Sequence, residues 1–239
     1  MGETLKRAIS GAVYVLLLLA SILYSTESFL ILFGIFLIIS IYEFCNLVQV
    51  NKTIPLISGT SIYVLIILIS NYYNLKAEDI QLLDIVLLAI TLLISIKCVV
   101  FLFDNSLQKI SNSSKYIYLL GYITLPFIFI TKISFGIKNY NPKIIIGLLI
   151  LIWTNDTFAY IVGKSIGKHK LFEKISPKKT IEGFFGGLIF AIFAGYLISM
   201  YLIKPSTQFS DKSILIWMII AAIVGVMGTI GDLIESKFK

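Results

Sequence analysis

An aspartate, Asp156, stands inside a mostly apolar segment, 144–163. A carboxylate held in a membrane helix is costly, so it marks a functional site by default. Directly after it come Lys164, Lys168, Lys170, Lys174, Lys178 and Lys179, six lysines against the single acid Glu173. The stretch ends in Ser176-Pro177-Lys178-Lys179-Thr180, where a further apolar segment begins. A dense set of ammonium groups suits an anionic partner, with phosphate the obvious candidate. An acid at membrane depth beside a phosphate-binding loop points to chemistry on a phosphorylated lipid.

Helical spacing sharpens this reading. Trp153, Asp156, Tyr160 and Gly163 fall on one face of a helix. Asp156 is about seven residues from the expected end of that helix, roughly 10 Å deep at 1.5 Å per residue. It is read as a Mg²⁺ ligand or an orienting group for a polar ligand, and Thr154 and Asn155 add polarity at the same depth. The alternative is a structural acid bonded to a neighbouring helix. In the basic loop, Gly163 and Gly167 are expected to let a ligand approach the backbone. Ser176-Pro177 reads as an N-cap followed by proline at the first helical position. Lys178 and Lys179 then fall in the first turn, against the helix dipole, which makes sense if an anion shares the site. The bland alternative is an ordinary basic cytoplasmic loop attracted to anionic headgroups. Glu182 either pairs with a loop lysine or faces the ligand. Near the C-terminal end, Gly225, Gly228 and Asp232 share a face, with Glu235 three residues beyond Asp232. The glycines predict a tight helix contact. Two acids emerging there suit Mg²⁺, which takes carboxylate and phosphate oxygens. The alternative is a helix end whose acids meet Lys237 and Lys239.

These groups must be positioned by membrane helices. The chain has 239 residues, 58% hydrophobic and only 14% charged, with a mean hydropathy of +0.94. Soluble domains carry about 25% charged residues. Eight apolar segments, at approximately 9–25, 28–50, 54–70, 80–103, 116–135, 144–163, 183–203 and 213–235, predict eight spans. All are expected to be helical, because the bilayer core leaves no other way to satisfy their backbones. The fold class is therefore all-α, a polytopic integral membrane helical bundle in a single membrane-embedded domain. N-terminal spans occupy 1–143, and the chemistry-bearing half, 144–239, carries the basic loop 164–182. Lys6 and Arg7 before an apolar run resemble a signal peptide, but spans follow at once, so the run is read as an uncleaved first helix. The stripe Gly183, Gly187, Ala191, Gly195 and Ser199, at spacing four, predicts close helix packing. Asp84 and Lys97, in the fourth span, are expected to pair with other helices or to snorkel.

With both termini cytoplasmic, the inside segments hold thirteen basic residues. The outside loops hold six, namely Lys76, Lys132, Lys138, Lys143, Lys204 and Lys212. That asymmetry predicts the orientation and puts the basic loop in the cytoplasm. The formal charge of +7 is not read as nucleic-acid binding, because the lysines sit between spans. Cys45 and Cys98 lie in apolar segments and predict buried free thiols. The lone histidine, His169, is read as a solvated loop residue.

Taken together, these residues resemble the phosphatidate cytidylyltransferases, or CDP-diacylglycerol synthases. The resemblance is carried by W-x-x-D-x-x-A-Y-x-x-G from Trp153 to Gly163. It continues in G-K-H-K-L and I-S-P-K-K-T-x-E-G between Gly167 and Gly183, and in G-D-L-x-E-S from Gly231 to Ser236. Glu43-Phe44 matches an early-span position. The motifs cover most of the second half, whereas the first half matches mainly as apolar spans. The resemblance implies that CTP and phosphatidate yield CDP-diacylglycerol and pyrophosphate at the cytoplasmic side of a bacterial plasma membrane, with Mg²⁺ as cofactor. It implies Asp232, Asp156 and Lys178 as catalytic residues, and Asp232, Asp156 and Glu235 around the metal. Substrate binding then falls to Lys164, Lys168, Lys170, Ser176, Lys179, Thr180 and Glu182, with a homodimer as a candidate assembly. Two departures stand out. Ile181 occupies a position that is usually Trp. The family pattern also runs on into H-G-G-x-x-D-R-x-D, which supplies further acids, whereas the sequence given reaches only Lys239. The expectation is a fragment or frameshifted product, inert as it stands or working with another subunit. A related CTP-dependent enzyme acting on a polyprenol, and an anion or phospholipid transporter lined by Asp156, are the competing functions.

Overall fold

Backbone amides in a bilayer core find no water, so a long apolar run must close its hydrogen bonds internally. The computed structural model of the protein follows that rule over the residues it describes, 3–71, 77–104, 111–135, 140–203 and 210–239. The helices are α1 (Glu3–Tyr24), α2 (Thr26–Val48), α3 (Thr53–Asn71), α4 (Ala77–Phe103), α5 (Asn112–Tyr118), α6 (Leu125–Phe135), α7 (Pro142–Ile166), α8 (Ile181–Leu197) and α9 (Ser210–Phe238). A π-helical segment, Leu119–Thr124, joins α5 to α6, and a second, Ile198–Ile203, extends α8. Among the described residues, seven helical spans are long and apolar enough to cross a membrane, and the apolar stretch of α1, Ile9–Tyr24, is shorter. The protein is an all-α polytopic integral membrane protein.

The chain divides into two compact units, Met1–Pro142 and Lys143–Lys239. In the first, α2 supplies the core. Phe29, Phe33, Leu37, Ile41 and Cys45 recur every four residues and are all buried, as one face of a helix should be. Its start is fixed by Ser25, which caps Ser28 reciprocally. The Tyr63 hydroxyl donates to the Leu30 carbonyl at 2.8 Å, tying α3 to α2. The expected interhelical partners of Asp84 and Lys97 are both present. Asp84 receives the Lys132 ammonium, which also donates to Ser70 Oγ at 2.8 Å. Lys97 donates to Ser114 Oγ at 3.4 Å and lies over the Tyr118 ring. Lys132, counted above with the outside loops, thus belongs to a helix and a specific ion pair. Lys76, Lys109, Lys138 and Lys204 lie outside the described residues. Cys45 and Cys98 are buried free thiols, as expected.

The second unit consists of α7, a hairpin, α8 and α9. The hairpin pairs β1 (Lys170–Phe172) antiparallel with β2 (Ser176–Thr180), matching Lys170 with Thr180 and Phe172 with Ser176 across a bulge. The small-residue stripe of α8 is buried as expected. A Cβ on Gly187 would meet the Asn155 carbonyl at 2.6 Å, and one on Gly195 would meet the Trp217 carbonyl at 2.7 Å. The stripe therefore lets α7 and α9 approach backbone to backbone.

Candidate active site

Three expectations for the basic stretch need correction. Ser176-Pro177-Lys178-Lys179-Thr180 is not a helix start but strand β2. The cap of α8 is Thr180, in extended backbone at φ −122° and ψ 153°, and its hydroxyl accepts the Gly183 N–H at 3.1 Å. An extended residue before proline suits a cap and a strand alike, and the pairing of Ser176 with Phe172 and the seating of Thr180 decide for the strand. Lys178 and Lys179 thus precede the helix rather than opposing its dipole. Second, Lys164 belongs to the last turn of α7, which runs to Ile166. Asp156 is then roughly 15 Å below the helix end at 1.5 Å per residue. Third, Gly163 and Gly167 are approached by protein. A Cβ on either would meet Thr180 Oγ1, at 2.9 Å and 2.7 Å, and one on Gly183 would meet the same atom at 2.9 Å. The three glycines form a socket for the buried Thr180 side chain, and so seat the end of β2 between α7 and α8.

Seated there, the hairpin roofs a cavity of about 780 Å³, within the range of small-molecule sites. Asp156, Tyr160 and Lys164 line it from α7, Lys170, Lys178, Lys179 and Thr180 from the hairpin, and Thr229 and Asp232 from α9. Residues 76 positions apart in sequence, Asp156 and Asp232, thus face one space. The Lys179 ammonium donates to Asp232 Oδ2 at 2.7 Å. Asp156 lies within electrostatic reach of both Asp232 and Lys179. Asn155 donates to Asp156 Oδ1 at 3.3 Å. Asn155 is itself buried, its own Oδ1 within 3.0 Å of where Cβ atoms on Gly187 and Gly225 would stand. The backbone of α7 is therefore fixed immediately beside the carboxylate. Lys164 is held over the Tyr160 ring, 5.7 Å from its centre.

Four residues expected at the site do not line this cavity. Lys168 lies between α7 and β1, and Ser176 is the β2 residue paired with Phe172. Glu182 is engaged by His169, whose Nδ1 lies 2.6 Å from Oε1. Glu235 pairs with Lys239 at 2.6 Å, one turn along α9; this is the helix-end alternative stated above. On the other side of the ledger of expectations, Gly228 and Gly231 have open space at their Cβ positions, so only Gly225 makes the tight contact foreseen for that face. Spacing arguments missed Thr229, although it stands three residues before Asp232 on the same face. They also missed the Lys179–Asp232 pair, which no local pattern encodes across 53 residues.

The chemistry this arrangement offers is specific. Four ammonium groups and two carboxylates share one partly enclosed space, with two threonines and a tyrosine beside them. The lysines suit phosphoryl oxygens, and the carboxylates suit a hard divalent cation bridging to those oxygens. Among the described residues, no group of three or more His, Cys, Asp or Glu side chains could hold a metal, and one or two carboxylates with waters and phosphate oxygens are the usual setting of Mg²⁺.

Comparison with known proteins agrees with this chemistry. The chain is 26% identical to the phosphatidate cytidylyltransferase of Bacillus subtilis, over all of this chain and 85% of that protein. It is 36% identical to the phosphatidate cytidylyltransferase of Staphylococcus epidermidis over 43% of this chain and 37% of that protein. With the enzyme of that name from Staphylococcus saprophyticus it shares 34% identity over 50% of this chain and 42% of that protein. The model of the cytidylyltransferase family matches residues 5–239. The chain belongs to the cytidylyltransferase family, a family of nucleotidyltransferases.

Proposed function

We propose that the protein transfers a cytidylyl group from CTP to phosphatidate, giving CDP-diacylglycerol and pyrophosphate, in a bacterial membrane with the hairpin on the cytoplasmic side. The observation that carries this reading is the joint lining of one cavity by Asp156, Asp232 and four lysines. A phosphate oxygen of phosphatidate attacks the α-phosphorus of CTP. One P–O bond forms there, the bond to the β-phosphoryl oxygen breaks, and pyrophosphate leaves with its electron pair. Both reactants are anions, so the barrier is largely electrostatic and the protein's task is to position them and neutralise their charge.

Each residue has a part in that task. Lys178 and Lys179 come from β2 and Lys164 from α7, so separate elements bring ammonium groups to the phosphoryl groups in one cavity. Lys179 exchanges the Asp232 carboxylate for a phosphoryl oxygen when substrate arrives. The Thr180 hydroxyl already caps α8 and thereby holds Lys178 and Lys179 in register. Lys168 and Ser176 remain binding candidates on the hairpin and at its base, outside the cavity lining. The donor set fits Mg²⁺, which is held by one or two carboxylates with substrate phosphates and waters. Asp156 and Asp232 would hold it, with Glu235 a turn away on α9. When bound, Mg²⁺ would neutralise charge developing on the phosphates. No covalent enzyme intermediate is required.

The test is direct. Membranes carrying this chain are incubated with radiolabelled CTP, phosphatidate and Mg²⁺. Label entering the lipid fraction with release of pyrophosphate is expected. Unlabelled lipid from membranes that contain the inserted chain would overturn the reading, and label appearing instead in an added polyprenol would reassign the acceptor.

A further inference from the structure

Within the basic motif, the acid Glu182 is out of place beside a site for polyanions unless its charge is already engaged. It is engaged. Both carboxylate oxygens accept the His169 backbone N–H, each at 3.2 Å, and Oε1 lies 2.6 Å from His169 Nδ1. The Lys168 backbone also faces the carboxylate. The Ile181 N–H donates to the His169 carbonyl at 2.9 Å. Residue 169 is thus tied to the first turn of α8 from both sides of its peptide, one residue before β1 begins. Three- and five-residue strands cannot hold themselves in water. Besides the Lys179–Asp232 pair, the hairpin is held at its two ends, by Thr180 in its glycine socket at the end of β2 and by Glu182 on His169 at the start of β1. Between them lie Lys170, Lys178 and Lys179, which line the cavity.

We infer that Glu182 is a positioning residue that latches the lysine hairpin over the nucleotide site through the His169 peptide, rather than a substrate contact. This inference rests on the cytidylyl-transfer reading for its kinetic readout. Unlatched, the hairpin lysines are no longer preorganised, so binding must bear the cost of ordering them and the effect falls on KM for CTP. Charge-assisted bonds to a carboxylate are the strong kind, which suits a contact that must hold while polyanions enter and leave.

The test compares the full chain in membranes with Glu182→Ala, Glu182→Gln and His169→Ala. Trypsin cleavage after the hairpin lysines is followed without nucleotide, and KM for CTP and kcat are measured separately. Glu182→Ala is expected to speed hairpin cleavage several-fold and to raise KM for CTP about tenfold (about 1.4 kcal/mol), with kcat reduced less than threefold. Glu182→Gln keeps one oxygen to accept the N–H and falls between. His169→Ala keeps the peptide contact and raises KM less than threefold. Cleavage at the wild-type rate, or kcat lost by orders of magnitude with KM unchanged, would overturn the latch. If Glu182→Ala fails to insert, wild-type cleavage and KM in Glu182→Gln overturn it equally. Absence of any CTP-dependent labelling by the wild type sinks the reading of the reaction instead, and the trypsin rates alone then uphold or overturn the latch.

Discussion

In the unit Met1–Pro142, the Lys132 ammonium meets Asp84 and Ser70 between helices, and its side chain is 16% exposed. In the unit Lys143–Lys239, the Lys179 ammonium meets Asp232 at the wall of an open cavity, and its side chain is 28% exposed. Both are lysine–aspartate pairs with the aspartate on a membrane-spanning helix, yet their settings differ in one decisive respect. The first pair is complete, with one cation, one carboxylate and a hydroxyl on hand. The second sits among three further lysines and a second carboxylate, an excess of charge that the protein alone does not neutralise. A closed pair at membrane depth holds helices together, because removing either member strands a charge. An open, unbalanced cluster is arranged for something that arrives.

The comparison breaks most sharply at Asp232. Asp232→Asn is expected to lower cytidylyl transfer by at least about 1,000-fold, a scale typical for removing a group that stabilises transition-state charge, while leaving membrane insertion intact. Radiolabel transfer normalised to inserted protein checks this, and retained activity would remove Asp232 from the site. Chelation with EDTA is expected to abolish transfer to a similar degree, with recovery on adding Mg²⁺; full activity in chelator would exclude a divalent ion. Lys178→Ala is expected to cost about 10- to 100-fold in kcat/KM, corresponding to about 1.4–2.7 kcal/mol, and an unchanged value would favour the plain basic-loop reading. Gly167→Val, which drives a side chain into Thr180, is expected to raise KM for CTP about three- to tenfold by unseating the hairpin. At the small end for catalysis, Asp84→Asn is expected to leave transfer per inserted molecule within twofold. Its cost should appear in thermal stability in detergent, by about 1–3 kcal/mol for a partly exposed pair. Adding Lys132→Met to it should restore much of the loss, and a catalytic defect in either variant would show that the two pairs are not different in kind.

The sequence shows the spans well, all but the shorter first one, because long continuous apolar runs answer to the bilayer alone. Asp156 and the lysines are equally visible, since charge at membrane depth needs no tertiary context to be conspicuous. The stripe Gly183–Gly187–Ala191–Gly195 was legible for the same reason, as a fixed spacing on one helix. The Ser176-Pro177 cap pattern does not become a cap. Its residues satisfy a cap pattern locally, but pairing with β1 and the Thr180 socket outweigh that preference. The glycines at 163 and 167 advertise close approach correctly, yet sequence says nothing about which atoms approach.

Composition and spacing by themselves determined an all-α membrane protein bearing acids and lysines suited to phosphate chemistry. Motif resemblance narrowed that chemistry to cytidylyl transfer. Tertiary structure alone decided that Asp156, Asp232 and the hairpin lysines share one cavity, that Glu182 faces His169 and that Glu235 faces Lys239. The physical reason is one of range. Helix formation in a bilayer is fixed by neighbouring residues, whereas the direction of a charged side chain depends on which distant backbone packs close enough to receive it.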